Sequence, residues 1–542
     1  GATVDGITVQ NCAYTSSGDP LDCVAAVAIT ESSILQNSIV RNNTITGASN
    51  GIYSGGVVVS TGGRLLNSYI HENTSANTSG GGNGGGVTLY ELGVVDGCTI
   101  DGNIANRAGG GMLIIARSGG AVVNNCVISN NKTTAGSGGG INVTNSNGVN
   151  TTANFGSGKN VTISDCVITS NTASSSNGGG LYMDVPNVGD NPWNGNPVLI
   201  TNCDVTLNKA IGAGSGTTTG NGGGFSLLRG TYTISGCNIN NNESKAIAND
   251  GTGGGAIFTD YAYGSTLTLS NSVLKGNKVT AGSSGSAILQ NYTSNGGAIV
   301  RNCLITANSG NSVFRQGSNR ACSFQNCTFA SNIHSNGTTK AGMYVAWGVS
   351  VANNFVNCLF YDSGSSPIGG YFNTNQVISN CAFDATATEA IAGTGQYAVM
   401  TNTVFGLTAD SFNNAANGDY TLAYESVAID KGTTIAAITT DLLGKSRPMG
   451  SAFDIGAYEF DPTTVSLEDN SVTNFTHYTD SQGLKLQGLT AGAIVKVYNT
   501  NGLLVASQIV NSTDCSVSLY PGFYILSIIN DGQEQAVKFV VK

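Results

Sequence analysis

Five polar residues fall at matching distances behind runs of glycine, and they are the first candidates for chemistry. Counting five residues beyond the last glycine of each triplet reaches Glu91, Asn145, Arg229 and Asp260; Asp184 stands one step short in its own copy. A polysaccharide lyase works with an arginine or lysine as base beside an acid-bound cation, and Asp184, Arg229 and Asp260 supply those residue types. The same residues stacked along a surface would equally make a row of ion pairs, each contributing about 0–1 kcal/mol. The expected cofactor is none, with calcium around Asp184, Asp190 and Asp260 as the alternative, since hard oxygens suit it although no spaced ligand loop of the EF-hand kind occurs. Aromatic residues form a second group. Trp193 in "DNPWNGNP" and Tyr261 and Tyr263 in "TDYAYGS" stand in loop-like text, where rings can stack on sugar faces. With Glu91 and Asn145 they are the expected ligand-binding residues.

Hydrolytic and nucleophilic chemistry find less support. A glycosidase needs two close carboxylates, yet no Asp-Asp pair and no Gly-His-Gly triplet occurs. The three histidines, His71, His334 and His477, are expected at outward, loop and tail positions, with no nucleophile motif beside them. The expected catalytic set is therefore none, or the lyase trio Asp184, Arg229 and Asp260 if the protein is an enzyme. No metal ligand set is assigned.

What must position these residues is a repeat. The phrases "GCTIDGN" (97–103), "NCVISNN" (125–131), "DCVITSN" (165–171), "NCDVTLN" (202–208), "GCNINNN" (236–242), "NCLITAN" (302–308) and "NCTFASN" (326–332) are one text, and serine replaces the cysteine at 38, 68 and 272. About fourteen copies run from Cys12 to Thr403, a period that signals a solenoid. Within "NVTISDCVITSN…GGGLYMD" the apolar residues alternate in three bursts: Val161 and Ile163, Cys166 and Ile168, Leu181 and Met183. Period-two spacing is that of a strand, and the slip at Ser164 and Asp165 predicts a sharp corner. Asn171 is expected at the next corner, in a left-handed conformation, with its amide bonded to the same residue of neighbouring coils. Three strands and three corners per period predict one coil of a parallel β-helix, stacked at about 4.8 Å. Glycine triplets precede each third strand, and the variable connection after it, such as residues 144–159, is expected to crowd one edge with loops. The cysteines then form an interior column of small side chains.

Bulk properties agree with an ordered, folded protein. Only 10% of the 542 residues are charged while 40% are apolar, so the chain has the means to bury a core. The formal charge is −10 with scattered basic residues, which predicts no nucleic-acid partner, and no apolar run is long enough for a transmembrane helix. Thirteen cysteines without a CxxC pair fit neither a disulfide scaffold nor a zinc site. The opening "GATVDGITVQNC" reads as mid-strand text, which predicts a leader and some initial structure upstream.

After residue 350 the copies shorten and turn aromatic, and "NGDYTLAYESVAIDKGT" with "DLLGKSRPMGSAFDIGAYEF" (417–460) breaks the period, as expected of a segment that covers open strand edges. From about 465 strands alternate around turns such as Asn501-Gly502, which predicts a small antiparallel sandwich. The expected divisions are coils over 1–405, a capping segment over 406–462 and a separate domain over 463–542.

The coils resemble the right-handed parallel β-helix class. "GGAIF" (254–258), "GGAIV" (296–300) and "FASN" (329–332) are similar to the repeats of chlamydial polymorphic outer membrane proteins. "DIGAYEF" (454–460) resembles the closing motif of bacterial surface β-helix proteins grouped by their choice of anchor. "VKVYNTNGLLV…LYPGFYILSI…KFVVK" resembles the C-terminal sorting domain of type IX secretion substrates from Bacteroidetes, although it lacks the basic residues common near the end of many such domains. These resemblances imply export, display at the outer cell surface or release, and engagement of secretion machinery by the C-terminal domain. The functional expectation is a monomeric, adhesin-like rod whose loops bind polysaccharide or glycoprotein glycans or host surfaces. The alternative is a polysaccharide lyase or glycoside hydrolase acting in a surface groove.

Overall fold

Each copy of the cysteine phrase is an extended chain bent at two sharp corners. A computed structural model describes residues 1–15, 23–46, 52–76, 83–115, 120–144, 160–185, 197–213, 219–246, 253–259, 265–280, 285–290, 297–317, 320–345, 351–364, 367–371, 376–384, 386, 391–394, 398–461, 475–480, 482–499, 502–530 and 533–541. Val161–Ser164 and Val167–Thr169 are strands, and Asp165 between them takes a φ of +53°. That left-handed residue turns the chain while Val161, Ile163, Cys166 and Ile168 all remain buried. Its counterparts are asparagine at 37, 67, 125, 202, 271, 302, 326, 357, 380 and 402, and glycine at 6, 97 and 236, all with positive φ.

The second corner departs from expectation by one residue. The left-handed position is Ser170, with φ +58°, and not Asn171. Asn171 instead lies inside and belongs to a ladder. Its Nδ2 donates to Asn208 Oδ1 at 3.0 Å and to the Ile128 carbonyl at 2.8 Å, while its Oδ1 accepts from Asn131 Nδ2 at 3.0 Å. The same bonding links Asn43, Asn73, Asn103, Asn131, Asn171, Asn208, Asn242, Asn277, Asn308 and Asn332 in order. Every one of these amides is buried, so each needs the partner that the next coil supplies.

Beyond the ladder the coil holds a fourth short strand that the burst pattern did not resolve. Thr172–Ala173 and its counterparts make a nine-stranded parallel sheet ending at Lys278–Val279. It was missed because only one side chain per strand, such as Ala173, points inward. The three longer sheets, taken in order through Val161–Ser164, Val167–Thr169 and Leu181–Asp184, have 14, 14 and 13 strands, all parallel and in register as in Val161↔Val198↔Tyr232, save one shift between Gly285 and Ile288. The described chain is nearly all β, with two single-turn 3-10 helices at Ala409–Ser411 and Ala415–Asn417.

Glycine is required where coils nearly touch. A Cβ on Gly139 would lie 2.4 Å from the Thr172 carbonyl carbon and 2.5 Å from Gly179 O, while the preceding Gly138 sits at φ +73°. The interior of the stack is one continuous apolar cluster from Ile29 to Phe383. In its last coils aromatics replace aliphatics, and Phe329, Phe360 and Phe383 stack at 5.0 and 4.9 Å between ring centres.

The chain divides into two units, Gly1–Phe460 and Asp461–Lys542. Within the first, residues 407–460 lie along the flank of the late coils. Leu407, Phe412, Tyr420, Leu422, Ile455 and Ala457 pack on Leu304, Ala330, Leu359 and Ala382, the outward residues of the second long sheet. Arg447 and Glu459 form a fully buried ion pair at 2.6 Å that braces this segment. The second unit has a three-stranded and a four-stranded antiparallel sheet around a shared core that includes Leu484, Val497, Leu526 and Ile528.

Candidate functional site

Asp184 ends the strand Leu181–Asp184, and Arg229 lies two residues past the neighbouring strand Phe225–Leu227. The strands pair Met183 with Leu227, which leaves the two polar residues at one end of adjacent coils. Arg229 Nε donates to Asp184 Oδ1 at 2.6 Å, and Nη2 donates to Oδ2, a bidentate pair. The Arg229 and Asp184 side chains are 34% and 18% exposed, so the pair is partly open to solvent. The main chain beneath is fixed. The Val185 N–H donates to the Arg229 carbonyl at 2.9 Å, and Tyr232 Oη donates to the same carbonyl at 2.7 Å. Burial, with the Asp184 charge as a lesser cause, holds the Tyr232 hydroxyl well above its usual range, so it stays protonated as that donor.

The remaining members of the predicted row separate. Glu91 is half-buried and follows the strand Val87–Tyr90, which lies three coils before Asp184, about 14 Å along the stack at the usual strand spacing. The count that reached Asp260 shifts by one, because Ala256 takes the place of the third glycine and pairs Leu227 with Thr259. Asp260 itself, with Asn145, Asp190, Trp193, Tyr261 and Tyr263, lies outside the described residues, as does most of the variable connection 144–159. Among the described residues no group of three or more His, Cys, Asp or Glu side chains is placed to hold a metal ion.

The structure adds a cluster that sequence reasoning passed over. Tyr69 and His71, on the outer face of the second long sheet, stack with ring centres 4.1 Å apart. Arg41 and Asp101 flank His71 in register on the two neighbouring coils. The Tyr69 hydroxyl is raised by burial and then by the Asp101 charge. His71, expected to be solvated, has a side chain only 12% exposed because Tyr69 covers it. The available signal was the outward spacing of Tyr69 and His71 within "NSYIHEN", two residues apart on one strand.

No protein-family model, curated protein or solved structure matches the chain.

Proposed function

We propose that the protein is an exported, adhesin-like rod, displayed at the outer cell surface or released, that binds glycans along its flank. In this reading the coils are a right-handed β-helix with the surface-protein resemblances noted above, and the second unit is a sandwich that engages secretion machinery. Asp184 and Arg229 carry the reading. A guanidinium fixed bidentately to a carboxylate is a rigid, part-exposed fork of donors and acceptors, suited to the hydroxyls of a sugar. The same pairing opposes service as a lyase base, because the adjacent carboxylate favours the charged guanidinium. Trp193, Tyr261 and Tyr263 would supply the stacking faces, with Glu91 and Asn145 as further polar contacts.

A glycan array with the wild-type chain, Arg229→Ala and Trp193→Ala tests this. Expected is binding to a restricted glycan set, weakened at least several-fold by each substitution. Binding unchanged in both variants, or none by the wild type, overturns the reading. Polymer degradation that Arg229→Ala abolishes would establish the lyase alternative instead.

A further inference from the structure

We propose that the outer face of the second long sheet in the early coils, at Ile39, Tyr69, Val127 and Val167, is a docking strip for an extended apolar segment of another polypeptide. The outer face of the second long sheet carries two rows of side chains, one through Arg41, His71 and Asp101 and a less charged one that runs unbroken from Ile39 to Ala382. The latter row reads Ile39, Tyr69, Thr99, Val127, Val167, Asp204, Asn238, Val273, Leu304, Thr328, Leu359 and Ala382, each paired with the next. At its late end the row is occupied. Residues of the flanking segment, Ile455 and Ala457 among them, cover Leu304, Leu359 and Ala382.

Corner asparagines hold that segment by its main chain. Asn357 Nδ2 donates to Asn326 Oδ1 at 3.0 Å and to the Thr433 carbonyl at 2.7 Å. Asn302 likewise divides its amide between Asn271 Oδ1 at 2.8 Å and the Thr440 carbonyl at 3.2 Å. One amide hydrogen thus goes to the coil before and the other to the passing chain.

The early end of the same row is built alike but is uncovered. Ile39, Tyr69, Val127 and Val167 are 36%, 37%, 38% and 36% exposed. The exposed corner residue Asn37 gives one amide hydrogen to Asp5 Oδ1 at 2.9 Å, and Asn125 gives one to Asp96 Oδ1 at 3.1 Å. Neither side-chain amide has a further hydrogen-bond partner among the described residues. Asp204 and Asn238 interrupt the apolar row, so the open strip is set apart from the occupied one. Ile39 to Val167 spans four coil steps, about 19 Å at strand spacing, the reach of roughly six extended residues. Continuity with the occupied face, in row and in corner amides, points to an occupant of the same chemistry: main-chain carbonyls for the asparagines and small apolar side chains for the row.

The probe is the chain's own docking sequence, a fluorescein-labelled peptide of residues 452–458 (AFDIGAY), titrated into the full protein and followed by anisotropy. Expected is saturation below about 1 mM, weakened roughly tenfold by Val127→Glu with Val167→Glu. Val122→Glu, at an exposed site on the first long sheet, should leave it unchanged. Absence of saturation, or equal loss in Val122→Glu, overturns the proposal. So does wild-type self-association that the strip variant abolishes, since a second copy would then be the occupant.

Discussion

Cys237 donates its main-chain N–H to Ser272 Oγ at 3.1 Å, in the place where Cys203 donates to Cys237 Sγ at 3.4 Å. Thiol and hydroxyl fill one slot in successive coils. Each also donates back to the carbonyl two residues earlier, Cys237 to Ser235 at 3.4 Å and Ser272 to Ser270 at 2.7 Å. The slot therefore selects a small side chain that both donates and accepts. Burial alone would explain cysteine and leave serine unexplained.

Cys237→Ser should accordingly cost under about 1 kcal/mol, while Cys237→Ala leaves the buried Cys203 main-chain N–H without its acceptor and costs about 1–3 kcal/mol. Denaturant midpoints at constant slope would check this, and an equal cost for both would remove the hydrogen-bonding account.

Thiol reactivity should follow burial. Of the twelve cysteines whose side chains are described, eleven are buried and Cys12 is exposed, and burial pushes the Cys322 thiol up to about 12. Brief alkylation of the folded chain, mapped by mass spectrometry, should mark Cys12 and spare Cys126, Cys166, Cys203 and Cys322.

Removing one rung of the amide ladder should cost more in the middle than at an end. Asn208→Ala strips the acceptor from both the Asn171 main-chain N–H and the Asn171 Nδ2, each at 3.0 Å, in a fully buried site. A loss of roughly 2–4 kcal/mol follows from two orphaned donors, against about 1–2 for Asn43→Ala near the first coil. Equal losses, measured by urea unfolding, would contradict the ladder's cooperative role.

The flanking segment should detach when its buried charge pair is broken. Arg447 also donates to the Gly456 carbonyl at 2.8 Å, and Glu459 accepts the Met449 N–H at 2.9 Å. Arg447→Ala leaves Glu459 charged and unpaired inside, a cost of about 3–5 kcal/mol. Limited proteolysis should then cut between 407 and 460 first; an unchanged cleavage pattern would show that the pair does not brace the segment.

The same segment should respond to pH through Asp454. Burial raises its carboxyl to about 6, above the 3.8 expected when unfolded. Between those values the folded chain holds a proton that the unfolded chain releases, so this group's contribution to stability falls as pH rises from about 4 to 6. Unfolding midpoints at pH 4 and pH 7 should differ by less in Asp454→Asn than in the wild type; a wider difference in the variant would reverse the assignment.

The strand text, the corner slip at Asp165 and the cysteine column are all legible in the sequence, because a parallel stack repeats one local environment and each copy must satisfy the same inward positions. The left-handed residue at Ser170 is not legible: once Asn171 is drawn inside by its ladder, the turn must be made one residue earlier, whatever the residue's own preference. Counting behind the glycine triplets sets Asp184 and Arg229 in one row, as their paired strands do, but it fails past Gly255, where Ala256 takes the third glycine's place and shifts the count by one. Local spacing is written into a chain by the geometry of a single strand. Which coil faces which, and which flank the segment 407–460 covers, are decided only when main-chain hydrogen bonds and apolar contacts between distant residues are satisfied together.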